Sequence, residues 1–332
     1  MNGSSMTATA PSSLAAARAP GRARWIGTAA GVVLGAVLLF AAWAKALDPA
    51  AFAEQIRLEG LDRFVAAGPL ALAVIALEVG LGLALLLGVR RLWVLVPAAI
   101  LVAFFLFLTG RAYWMDVRGI APPEAAACGC FGNLVQRTPA EAFWQDLLLL
   151  VPALALAFVG RPRGGRAFPP LRGTAALLAA AGAALFAWRS PALPLDDLAT
   201  RLKRGVEVAD LCAGTEGERV CLDTVAPELA EGEHLVVLAD LEDPAFGEAV
   251  ERLNAYAGEA GQPGLVVVSA APPEKHTAFY WRWGPAFQIR DAPPAVVRPL
   301  YRSLPRAFRV RQGKVIETYA GLGPALTRGD ER

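Results

Sequence analysis

Charged residues are scarce in this 332-residue sequence: Asp, Glu, Lys and Arg make up 19% of it, against 55% hydrophobic residues. A soluble domain usually carries about a quarter charged residues, so the balance leans toward a membrane. The formal net charge is only +2, too little to point to nucleic acid as a partner. Histidine occurs only at His234 and His276, far apart in the chain, and there are only four cysteines. That leaves too few soft ligands for a zinc or haem site, so no metal is expected. No internal repeat of solenoid length is present, which sets aside stacked-repeat architectures.

What the chain has in quantity is long apolar runs. Residues 1–24 are rich in Ala, Ser, Thr, Pro and Gly and end on Arg18, Arg22 and Arg24, the composition of a disordered cytoplasmic tail. Trp25 to Ala46 is almost wholly apolar and long enough to span the roughly 30 Å hydrocarbon core. Ala42-Trp43-Ala44 offers a signal-peptidase-like site, but a signal h-region runs only about 7–15 residues, so an uncleaved helix is expected. Four further spans are predicted at about 66–88, 92–115, 142–160 and 173–189.

Arg18, Arg22 and Arg24 precede span one, Arg90 and Arg91 separate spans two and three, and Arg161, Arg163, Arg166 and Arg172 separate four and five. The positive-inside rule then puts the N-terminus in the cytoplasm, and residues 47–65, 116–141 and everything after Ser190 outside. The expected location is the inner membrane. The two cysteine pairs, Cys128 with Cys130 and Cys212 with Cys221, then share one oxidising compartment, where disulfides persist.

After the linker Arg189-Ser190-Pro191-Ala192-Leu193-Pro194, a domain of ordinary composition covers 195–332. His234–Ala239 and Gly264–Ala270 read as buried strands, Phe246–Glu259 and 273–283 as helices, and 307–318 as a hairpin around Gln312-Gly313. The alternation predicts a small α/β domain. The fold class expected is thus a helical membrane bundle of about five spans followed by an extracytoplasmic α/β domain.

Two resemblances sharpen this. Ala44-Lys45-Ala46-Leu47-Asp48-Pro49-Ala50-Ala51-Phe52-Ala53, Leu77-Glu78-Val79-Gly80-Leu81-Gly82 and Cys128-Gly129-Cys130-Phe131-Gly132 resemble the MauE methylamine-utilisation family, within the wider DoxX-like membrane proteins. That resemblance covers about 25–160 and implies a four-helix membrane domain that helps mature a disulfide-rich amine dehydrogenase, hence a part in methylamine metabolism. The segment 161–194, with its fifth span and linker, and the fused domain are additions to it, as is the long spacer from Arg111 to Ala127 with Pro122 and Pro123. The C-terminal domain is similar to thioredoxin-like folds of the TlpA kind. The resemblance places the usual Cys-x-x-Cys at Asp243 to Phe246, where this chain has no thiol, and makes Leu304–Pro305 the cis-proline candidate.

The candidate exchanging pair is therefore Cys128 and Cys130. Glycine suits so small a ring, and strained or exposed disulfides are the more oxidising, labile ones. A static disulfide is the competing reading, and a Cu(I) site ranks last because no Met or His lies near the pair in sequence. Cys212 and Cys221 flank a polar turn, which predicts a structural disulfide closing a hairpin. Glu78, in mid-span, reads equally as a functional group or as a packing carboxyl. Lys45 and Arg111 lie on the thiol side, where their charge favours a thiolate, although snorkelling to the interface is the safer expectation. The aromatic group Phe279, Tyr280, Trp281 and Trp283 is expected in the core, with a client patch as the alternative.

The expected activity is disulfide formation or thiol-redox maturation of an exported protein, with a redox partner or a quinone as electron acceptor; no cofactor motif is evident. The alternative is a non-catalytic scaffold with structural disulfides only, and a carrier built around Glu78 ranks third.

Overall fold

The structure, a computed structural model, describes residues 21–63, 65–120, 137–162, 170–214 and 219–327. Cys128 and Cys130 lie outside the described residues. Among the described residues, five helices are long and apolar enough to cross a membrane: α1 (Gly21–Leu47), α3 (Ala67–Leu86), α4 (Leu92–Val117), α5 (Pro139–Val159) and α6 (Pro170–Arg189). The chain is a multi-pass membrane protein. Between the first two spans lies α2 (Pro49–Leu58), a short helix that the sequence reading left unassigned. Asp48 starts it, accepting from the Ala51 N–H at 3.0 Å, and Pro49 supplies a preset backbone angle in its first turn.

Small residues let the spans approach closely where no hydrophobic force drives helices together. A Cβ added at Gly35 on α1 would fall 2.6 Å from the Gly82 carbonyl oxygen on α3. Gly27 on α1 and Gly160 after α5 meet in the same way, and buried Arg90 closes that end. Its guanidinium donates to the Gly160 carbonyl and to Thr28 Oγ1, both at 2.7 Å. At the start of α5 the bends are set locally: Thr138 and Glu141 form a reciprocal capping box, with Pro139 in the first turn.

The second half opens with α7 (Asp196–Ala199), then the two-residue strands β1 (Cys212–Ala213) and β2 (Val220–Cys221), and α8 (Leu222–Val225). Then come β3 (Glu233–Leu238), α9 (Pro244–Glu248), α10 (Val250–Gly258), β4 (Gly264–Ser269) and α11 (Pro273–Trp283). The remainder is β5 (Gln288–Asp291), α12 (Pro294–Val297), β6 (Arg306–Arg311), β7 (Lys314–Ala320) and α13 (Pro324–Thr327). One sheet runs β5-β4-β3-β6-β7, with the first three strands parallel and the last two antiparallel to their neighbours. Both faces are covered, which is why β3 and β4 read as continuous apolar runs. Val236, Leu238, Val266 and Phe308 face one core, while Leu235, Val237, Leu265 and Ala307 face the other.

This is a thioredoxin-like arrangement: a central strand feeding a helix, a proline loop, and a closing antiparallel hairpin. The hairpin turns at Gln312 (φ 50°) and Gly313 (φ 73°), the paired positive angles a two-residue turn requires. Three details depart from the sequence reading. The helix expected over 246–259 begins at Pro244 and is broken at Ala249 into α9 and α10. Edge strand β5, only four residues long and charged at two of them, carries too little pattern to be recognised. Trp281 is 87% exposed and Tyr280 is 43% exposed, so only part of the aromatic group is core.

Candidate functional site

Lys45, in the last turn of α1, and Glu78, in the middle of α3, meet inside the bundle. Lys45 Nζ donates to Glu78 Oε1 at 2.6 Å, and the two side chains are 2% and 0% exposed. Taking two charges out of water is costly, so such a pair persists only where close geometry returns most of that cost. Two aromatic faces assist: Nζ lies 4.9 Å from the Phe105 ring centroid and 5.2 Å from that of Phe52. The expectation that Lys45 snorkels to the interface is therefore corrected. A carboxylate within hydrogen-bond reach and two ring faces hold it inside instead. Glu78 Oε2 is buried and has no hydrogen-bond partner among the described residues.

Lys45 lines a small cavity of about 80 Å³. Its walls come from α2 (Phe52, Ile56), α3 (Leu70, Val74) and α4 (Phe105, Leu108), so α2 roofs a space that would otherwise be open. Glu59, also in the lining, is bonded by Arg111 from α4. Arg111 is thus held by a carboxylate, as Lys45 is.

The segment carrying Cys128 and Cys130 leaves α4 beyond Val117 and rejoins the described chain at Arg137. Both anchors belong to this end of the bundle. Arg137 bonds Asp146 of α5 at 3.1 Å, and Tyr113 of α4 stacks on Phe143 of α5 with centroids 5.7 Å apart. Glu59, Arg137 and Asp146 were missed as site residues. Asp146 did leave a signal, since it is an acid two turns into an otherwise apolar span. Glu59 and Arg137 sit in polar connections and left none.

In the soluble domain the place of the usual thiols is filled by structural residues. Asp243 caps α9, accepting from the Ala245 N–H at 2.9 Å, and Phe246 is 1% exposed and stacked on Phe279. The Leu304–Pro305 peptide is cis. Cys212 and Cys221 are opposite partners in the β1–β2 ladder and are joined by a disulfide. No other cysteine lies in this half of the sequence.

The two halves are tied together near that proline loop. Ser190 Oγ donates to the Leu47 carbonyl at 2.9 Å, and Arg302 donates to the Ser190 carbonyl at 2.7 Å. Burial pushes the Asp48 carboxyl up, against the Ala51 N–H and the charges of Arg298 and Arg302, which pull it down. Tyr301 is likewise pushed up by burial, and it feels both Asp48 and Asp240. The chain leading into Pro305 is thereby held, through Ser190, near the junction of α1 and α2.

The fold and site define a class: a multi-pass membrane protein carrying a thioredoxin-like domain without thiols at the usual position. Residues 23–159 match the family model described as Methylamine utilisation protein MauE, close to the 25–160 expected from the motifs. The membrane half is MauE-like. Curated proteins gave no match to the chain. Among solved structures, the chain is similar to one described as a thiol:disulfide interchange protein DsbE from Chlorobium tepidum. The identity is 18%, over 37% of this chain and 89% of that one, with a TM-score of 0.30. At that score no argument is taken from it, and the thioredoxin-like assignment rests on the strand order.

Proposed function

We propose that this protein is a membrane thiol-disulfide oxidoreductase that forms or matures disulfides in an exported client, with Cys128 and Cys130 as the exchanging pair. The observation that carries this reading is the state of the other candidates. Cys212 and Cys221 are closed in a hairpin disulfide, and Asp243 and Phe246 fill the usual thioredoxin position. The MauE match over 23–159 supports the same role, and an amine dehydrogenase-like client with it.

The arginine distribution supports an outward-facing site. Arg24, Arg90, Arg91, Arg161 and Arg172 gather at the end of the bundle opposite Lys45, which favours a cytoplasmic N-terminus and an extracytoplasmic soluble domain in the inner membrane. A thiolate attacks a disulfide sulfur, so an exchanging pair must be reachable by its client. The thiol-free domain serves as the client-holding module, its exposed Trp281 and Tyr280 offering an apolar contact.

Replacing Cys128 and Cys130 with Ser tests the reading. Client disulfides should fail to form while protein level and the Cys212–Cys221 bond stay normal. Unchanged client oxidation in that variant favours the scaffold reading instead.

A further inference from the structure

We propose that the groove between α3 and α6 is a binding site for one anionic phospholipid, its tail along the groove and its phosphate at the arginine-bearing end. The groove measures about 690 Å³, within the roughly 300–1,000 Å³ of small-molecule sites. It shares no lining residue with the cavity beside Lys45, and the inference stands apart from the thiol-redox reading.

The shape suits a lipid tail. The two helices meet on small residues: a Cβ added at Gly80 of α3 would lie 3.4 Å from the Ala180 Cβ of α6. Ala73, Ala76 and Ala84 on α3 and Gly173 on α6 also line the groove, and such short side chains leave the seam unfilled. Leu77 and Leu177 line it too and are exposed, on the least buried of the five spans in the case of Leu177. Between Ala73 and Ala84, α3 rises about 16 Å, and α6 rises about 15 Å from Pro170 to Ala180. One leaflet supplies about half of the roughly 30 Å hydrocarbon core, so the groove has the length of one acyl tail.

The charge suits a phosphate. One end of the groove lies at Trp93 and Pro170, where α4 and α6 begin, and Trp93 is exposed as an aromatic ring at headgroup level is. Arg172 stands exposed at this end. It donates one N–H to the Leu87 carbonyl at 2.9 Å, just past groove residue Ala84, and a guanidinium has five N–H groups to give. Arg91 is the N-cap of α4, two positions before Trp93. The sequence has no Asp or Glu before Asp48, between Glu78 and Asp116, or between Asp146 and Asp196, the segments that form this end. The cations here are all arginine, whose planar fork matches phosphate oxygens, and basic pockets between spans are known to hold lipid headgroups. A second copy of the chain in the same orientation would bring its own arginines to the same level, so an anion is the better occupant.

The test uses the purified full chain in lipid nanodiscs with phosphatidylglycerol carrying a photoreactive diazirine in its tail, compared with the same probe built on phosphatidylcholine. Adducts mapped by mass spectrometry are expected on 73–84 of α3 and 170–180 of α6, with the anionic probe ahead. Arg172→Gln removes the charge while its amide still has an N–H for the Leu87 carbonyl. It should lower anionic labelling about fivefold and leave the phosphatidylcholine probe unchanged. Thr174→Phe, which fills the groove from an exposed position, should lower labelling by both probes.

Arg24→Gln makes the same charge change at the same end of the bundle but outside the groove lining, and it should leave labelling as it is. A loss there equal to that of Arg172→Gln would mean diffuse attraction to the arginines and overturns the site. Equal labelling of the wild-type chain by the two probes, or adducts spread over the exposed faces of the other spans, means ordinary solvating lipid and overturns it as well. So do chain-to-chain links through α6 that replace the lipid adducts in discs holding two chains, which would assign the groove to a second copy.

Discussion

Lys45 and Glu78 are 33 positions apart in sequence, and each completes the other. At a nearly dry site the energetic question is what happens when one partner goes. Removing one member of a buried pair leaves an uncompensated charge at about 3–5 kcal/mol, whereas an apolar pair of similar volume is often neutral. Glu78→Leu alone should therefore destabilise the chain strongly, and the addition of Lys45→Met should recover most of the loss in a denaturation series. A double variant no better than the single one would mean that the two do not act as a pair. Contact of another kind governs Gly247, where an added Cβ would fall 2.2 Å from the Trp283 ring. Gly247→Ala should cost roughly 1–3 kcal/mol by overpacking, read as a lower melting temperature. At this scale the sequence showed that Glu78 is unusual but not what answers it. Helix pairing across a bundle sets partners, and one-dimensional spacing does not encode it.

Elements came through more clearly. All five spans, both central strands and the hairpin were legible because each has a strong period or length signal. The short pieces were not: α2 has ten residues joined to span one by a single Asp48, and β5 gains its strand form from pairing with β4. Both are made by tertiary context. The sheet also carries a charge cluster that ties β3 to β6. Glu233 on β3 accepts from Arg309 and Arg311 on β6, and these bonds hold its carboxyl below the ordinary value of 4.5. A carboxylate with a lowered folded value stabilises fully above its unfolded value and loses that contribution as pH falls through the folded one. The exchange protection factor of Leu235–Val237, with the intrinsic pH dependence of amide exchange divided out, should stay constant at neutral pH and fall as pH drops below 4.5. Glu233→Gln should flatten that response, and an identical acid profile in the variant would remove Glu233 as its source.

At the scale of the whole molecule, the thioredoxin-like domain is held with its proline loop toward the bundle, and the hinge of that arrangement is Arg302. Its guanidinium donates to the Ser190 carbonyl and Oγ and to the Leu193 carbonyl, fastening the linker to the domain. Arg302→Ala should make 190–195 more susceptible to limited proteolysis without unfolding the sheet; unchanged cleavage would place the restraint elsewhere. This orientation could not be read from the sequence, because backbone carbonyl acceptors carry no residue signature. It matters for function, since it sets the domain's usual exchange face, without thiols there, beside the junction of α1 and α2. The central claim is that the pair Cys128 and Cys130 cycles. Its most direct test is the reduction potential of Cys128–Cys130 in the full chain, measured by alkylation mass shift across a redox-buffer series. A cycling pair should titrate above about −300 mV, in the range of exchangeable disulfides, while a value well below it would mark an inert structural bond and contradict the account.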